Sequence, residues 1–173
     1  MSKPSKPAIF LFLVFIGACA VPQLKAVPDK LQPGANESLA RIVPAKGVQI
    51  YECRARRDQS GYEWAFVAPV ATLYDGQKKT VGKYYAGPTW ESNDGSKVTG
   101  KQIAVAPAAT PRSIPLQLVK AEPAMGSGAM TGVTYIQRLD TKAGVAPATT
   151  CDAAAKGKQE KVGYEARYVF YRQ

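Results

Sequence analysis

The stretch "YEARYVFYR", residues 164–172, decides the fold class. Along an extended chain Tyr164, Ala166, Tyr168 and Phe170 fall on one side, and Glu165, Arg167, Val169 and Tyr171 on the other. A period of two among aromatic and β-branched residues reads as a strand with one face on a core and the other partly wet. Working outward, "VQIYEC" (48–53), "YEWAFVAP" (62–69), "KVTGKQIAVA" (97–106), "IPLQLVKA" (114–121) and "GVTYIQRLDT" (132–141) show the same β-rich alternation. Tyr62, Trp64 and Phe66 share a face in the second of these. Turn chemistry separates the runs: "DQSG" (58–61), "YDGQ" (74–77), "NDGS" (93–96), "AMGSGAM" (124–130) and "TKAG" (141–144). Short strands with turns at close intervals predict an all-β fold, a single-domain antiparallel β-sandwich or flattened barrel with at most one short helix. That helix would fall in "ATTCDAAAKGKQ" (148–159), with Thr150 as its cap and Gly157 as its stop.

The chain has 173 residues, enough for one domain with its own core. Residues 1–20 read as a signal peptide, because Lys3 and Lys6 precede an uncharged run (8–18) too short to span a bilayer as a helix. Its end, "IGAC" (16–19), has the form of a lipobox, in which Cys19 becomes the lipidated N-terminus. Cleavage after "ACA" (18–20) is the ordinary alternative. Residues 21–46 carry four prolines and no sustained period, which predicts an extended tether or edge segment before a domain spanning 47–173. The expected location is extracytoplasmic: periplasmic or an outer-membrane-anchored lipoprotein, otherwise secreted.

Of the three cysteines, Cys19 is acylated under one reading and discarded under the other. Cys53 and Cys151 remain, and an oxidising compartment favours a disulfide between them over two free buried thiols. Without the leader the chain keeps 21 basic and 13 acidic residues, or +8. That charge suits adhesion to anionic lipid headgroups or an anionic envelope polymer, and equally a soluble surface. The lysines are scattered and no aromatic-basic recognition motif occurs, so no nucleic-acid partner is expected.

The chain has no histidine. That removes Ser-His-Asp and Cys-His triads, imidazole general bases and histidine metal sites. No glycine-rich phosphate cradle is present either, so neither a metal nor a cofactor is expected. An enzyme built from this chain would need carboxylates, and Glu52, Glu63, Glu91 and Asp94 stand near aromatic residues. Acids on alternating strands usually form the solvated face of a sheet. Arg138 has two readings, an anion fork or a solvated residue opposite Val133, Tyr135 and Leu139, and the alternation favours the solvated one.

The densest group of functional side chains is "YYAGPTWESNDGSKV" (84–98). "NDGS" there has the residue order of a tight hairpin, with Gly95 taking the positive φ. Tyr84, Tyr85, Trp90 and Glu91 are left as a candidate ligand surface for sugar rings or apolar molecules, with core packing as the alternative for Trp90.

"GVQIYEC", "YEWAFVAPVATLYD", "GKYYAGPTWESNDGSKVTG", "VTYIQRLDTKAGVAPATTC" and "YEARYVF", in this order from Gly47 to Tyr171, resemble the exported bacterial and fungal family called domain of unknown function 3455. The resemblance implies export and supports the cysteine pair, and it brings no catalytic residue. Members of that family often carry histidine where Tyr84 stands, so an imidazole-dependent role does not carry over. The expected function is a lipid-anchored binding or structural module of the cell envelope. The alternatives are a carboxylate-dependent hydrolase or lyase using Glu91 or Asp94, and polymer adhesion through net charge. Oligomeric state is left open by the sequence.

Overall fold

The computed structural model describes residues 27–173. The signal peptide, Cys19 with its expected lipid, and residues 21–26 of the expected tether lie outside the described residues. Eight strands follow in chain order: β1 (Ser38–Ala55), β2 (Tyr62–Tyr74), β3 (Thr80–Tyr85), β4 (Thr89–Ser92), β5 (Lys97–Ala106), β6 (Leu116–Ala121), β7 (Val133–Ala143) and β8 (Gln159–Arg172). Each pairs antiparallel with the next, and β8 returns to β1 from Ser38↔Arg172 to Glu52↔Gln159. The sheet therefore closes into one barrel, and of the two expected architectures the barrel is the one formed.

Curvature has identifiable sources. Bulges interrupt the β1–β2, β5–β6 and β7–β8 ladders, and a bulge bends a strand and increases its twist. Gly47 of β1 lies so close to β2 that a Cβ there would sit 2.1 Å from the Val70 carbonyl oxygen. Only glycine allows that approach.

The six strands expected from alternation all form, while β3 and β4 were not anticipated. They flank the turn 86–88, where Gly87 has φ +95°, and the "NDGS" hairpin beyond β4 places Gly95 at φ +86° as its residue order predicts. The expected helix shrinks to a 3-10 turn, Ala153–Ala155, whose amide at Ala155 is capped by Asp152 rather than Thr150. The expected tether needs a larger correction. Residues 38–46 are the first part of β1, and Pro44 is tolerated because pairing with β2 begins only at Ala45.

Residues 27–37 form a strap across the outside of the barrel. Leu31 is fully buried against Ala106, Leu118, Leu139 and Val169, its carbonyl accepts from Gln137 Nε2 at 2.6 Å, and Glu37 accepts from Thr134. The strap starts at Val27 and Pro28, beside the loop 107–113, and runs to the opposite end of the barrel.

Inside, Val43, Ala45, Leu73, Trp90, Val98, Val119, Ile136, Tyr168 and Phe170 pack into one core. The segment 122–132 closes one end of the barrel: Met130 enters the core, its amide donates to Ser96 Oγ, and the Arg172 Nη2 donates to the Ala129 carbonyl. Near the other end, the Cys53–Cys151 disulfide ties the β7–β8 loop to β1, and Cys53 also exchanges backbone hydrogen bonds with Gly157 and Lys158.

With its cysteines 98 positions apart, this disulfide restricts the unfolded chain by about 4–5 kcal/mol in the chain-entropy picture. The Cys53→Ala, Cys151→Ala double variant should lose stability of that order in urea unfolding. An unchanged midpoint would show that the bond does not restrain the unfolded state.

Candidate functional site

The end opposite segment 122–132 opens into a cavity of about 890 Å³. Its inner wall holds Gln49 and Tyr51 of β1, Tyr84 of β3, Gln117 and Val119 of β6 and Arg138 of β7. Phe66, Val67, Pro88, Val105 and Pro115 form the mouth. The aromatic cluster below is continuous with Tyr84: its ring stacks on Trp90 at 4.7 Å and tilts against Tyr168 at 5.0 Å, and Trp90 meets Phe170 edge-on.

The lumen is polar in a particular way. Gln49 is only 3% exposed, and its Nε2 has no acceptor among the described residues. Arg138 donates from Nε and Nη2 to a single carbonyl, that of Pro115, at 3.2 and 2.9 Å. Every ion pair among the described residues involves other side chains, and no acidic residue lines the cavity. The Tyr51 hydroxyl donates to the Gly144 carbonyl at 2.7 Å, and the hydroxyls of Tyr164 and Tyr168 meet at 3.4 Å. Burial pushes the Tyr51 and Tyr84 phenols up, with Arg138 opposing, pushes Tyr164 up to about 12, and raises Tyr168 well above its ordinary value. These phenols are therefore neutral at physiological pH and leave the guanidinium charge uncompensated.

The structure divides the expected surface group Tyr84, Tyr85, Trp90 and Glu91 by strand parity. Tyr84 and Trp90 point into the barrel, with Trp90 fully buried, so the core-packing alternative is the one observed for Trp90. Tyr85 and Glu91 lie on the outer face, where the Tyr85 hydroxyl donates to Glu91 at 2.7 Å and Lys83 and Lys97 each approach the carboxylate at 3.3 Å. The Tyr85 hydrogen bond, aided by the two lysines, holds Glu91 below its usual range.

Asp94 is a structural clamp. Its Oδ1 accepts from the Ser96 hydroxyl and amide, and its Oδ2 accepts from the Ala129 amide at 2.8 Å, fixing the hairpin to the segment that closes the barrel. Gly128 is required there, because a Cβ would lie 2.5 Å from Asp94 Oδ2. Glu52 is engaged by Arg54 and Gln159, and Glu63 is exposed. None of these four carboxylates lines the cavity.

Arg138 is the largest reversal. It shares a face with Ile136, as the alternation indicates, but that face is the inner one. Tyr135 and Leu139 point outward into the apolar patch under the strap, which makes the outer face resemble a core. A usable signal for Gln49 was present in "VQIYEC", where its parity matches Tyr51 and Cys53. A second hollow of similar size lies outside the barrel between the strap and loop 107–113, and its charges are mixed, with Arg167 paired to Asp140 at 2.7 Å.

The fold and site together define a closed eight-stranded barrel with one plugged end and one open cavity, polar at its inner wall and apolar at its mouth. The chain matches the family described as Protein of unknown function (DUF3455) over residues 33–172, and it belongs to that family. The match begins before Gly47, in keeping with a first strand that starts at Ser38. Comparison with curated proteins and with solved structures found no match.

The hydrogen bonds to Asp94 hold its carboxyl far below the ordinary value of 3.8. A depressed pKa contributes stability that is present above the unfolded value and lost as pH falls through the folded one. Acid titration of stability should therefore be shallower below about pH 3.8 for Asp94→Ala than for the native protein. Superimposable acid limbs would remove Asp94 as the clamp.

Proposed function

We propose that the protein is an exported binding module of the cell envelope that holds a small molecule in the open end of its barrel. An eight-stranded barrel has an interior wide enough to hold side chains or one small ligand. Here the side chains fill the plugged half and leave the other half as space. The cavity lies within the range of about 300–1,000 Å³ usual for small-molecule sites.

The observation that carries this reading is the Gln49 carboxamide, buried in the cavity wall with no acceptor for its Nε2. A buried donor left unsatisfied costs about 1–3 kcal/mol, which a ligand acceptor would recover. The leader reading and the Cys53–Cys151 disulfide both fit an oxidising compartment outside the cytoplasm.

Binding should raise the melting temperature in a thermal-shift screen, since a ligand at a hundred times its Kd stabilises the folded state by about 2.7 kcal/mol. Val105 is exposed at the mouth, so Val105→Trp should narrow the entrance without disturbing the core and abolish that shift. A shift of undiminished size in this variant would place the ligand elsewhere and refute the reading.

For the anchor, a palmitate analogue fed to expressing cells should label the native protein and not Cys19→Ser. If no label depends on Cys19, the lipid anchor is refuted.

A further inference from the structure

Resting on the barrel-binding reading, we infer that the ligand is an amphipathic monocarboxylate that enters acid-first, with its carboxylate on Arg138 and its apolar body against the mouth. The inner wall carries one cation, Arg138, and no acid; Lys101, which also lines the cavity, is exposed. Arg138 spends Nε and one hydrogen of Nη2 on the Pro115 carbonyl. Of its five N–H groups, those on Nη1 and the second on Nη2 have no acceptor among the described residues, and these two nitrogens form the planar fork that grips a carboxylate in two parallel hydrogen bonds.

The neighbouring polar groups suit the same occupant. Gln49 Nε2 is a donor in want of an acceptor, and the phenols of Tyr51, Tyr84, Tyr164 and Tyr168 stay protonated, so none neutralises the guanidinium. One inner cation matches one negative charge. A phosphate is held best by a second inner arginine or a helix N-terminus, and the inner wall has neither; the other cation of the lining, Lys101, is exposed.

The mouth explains the rest of the molecule. Phe66, Val67 and Val105 are 53, 38 and 42% exposed, and Pro88 and Pro115 line the cavity with them. This is an apolar collar around a charged interior, and a ligand with a hydrocarbon or aromatic body covers it while the acid sits below.

Calorimetric titration with two matched pairs, octanoate against octanamide and cinnamate against cinnamamide, tests the assignment. Each acid should bind the native protein at least ten-fold more tightly than its amide, and Arg138→Gln should erase the difference while Arg138→Lys retains part of it. The comparison on the native protein needs no variant, so misfolding of Arg138→Gln leaves the test intact. Equal affinity of acid and amide, both blocked by Val105→Trp, would overturn the carboxylate assignment and leave the barrel as a binding site. Acid binding that Arg138→Gln leaves unchanged would overturn it as well. If none of the four probes binds and the wider screen gives no shift sensitive to Val105→Trp, both readings fail together.

Discussion

The seam between β1 and β8 is the constraint on which the rest of this molecule depends. It joins residues more than a hundred positions apart, from Ser38↔Arg172 to Glu52↔Gln159, and it turns an eight-stranded meander into a surface with an inside. A meander left open would expose two edges of unpaired backbone groups and one wet side of every core residue. With the seam formed, Val43 and Ala45 from one strand face Tyr164, Ala166, Tyr168 and Phe170 from the other within a single core. Such non-local pairing is entropically expensive to bring about, and topologies dominated by it fold slowly. The strap and the disulfide brace the two strands of this seam, since Leu31 packs on Val169 and Cys151 lies in the loop that leads into β8.

Closure also sorts the charges. Lys83, Lys97 and Glu91 lie on the outer face, where water screens them and exposed ion pairs contribute about 0–1 kcal/mol. Arg138 is placed on the inner face, against neutral phenols and amides. The two ends of the barrel differ correspondingly. One is sealed by a hydrogen-bonded carboxylate, Asp94, and a methionine; the other holds a guanidinium beside open space.

Much of this was legible in the residues, and the limits have physical causes. Alternation located six of the eight strands, and cysteine counting paired Cys53 with Cys151. The short strands β3 and β4 escaped because Gly87 and Pro88 between them read only as a break. Alternation says which residues share a face, but it does not say which face is inside when both are apolar. At Arg138 the strap supplies the outer face of β7 with its own apolar cover, so Tyr135 and Leu139 imitate a core and the arginine looks solvated. The same ambiguity grouped Tyr84 and Trp90 with Tyr85 and Glu91, although a barrel wall stands between the two pairs. The prolines of the N-terminal segment suggested a tether, yet Leu31 and Gln137 make part of it a lining for the outside of the sheet.

The point at which the strap joins the barrel has a geometric consequence. Val27 meets the domain beside loop 107–113, at the same end as the cavity mouth, while the plugged end lies away from it. If Cys19 carries a lipid, that anchor lies eight positions from Val27, a reach of roughly 30 Å at full extension. The opening would then be leashed to the bilayer like a cup hung from its rim, and molecules leaving the membrane interface would meet the apolar collar before they met bulk water.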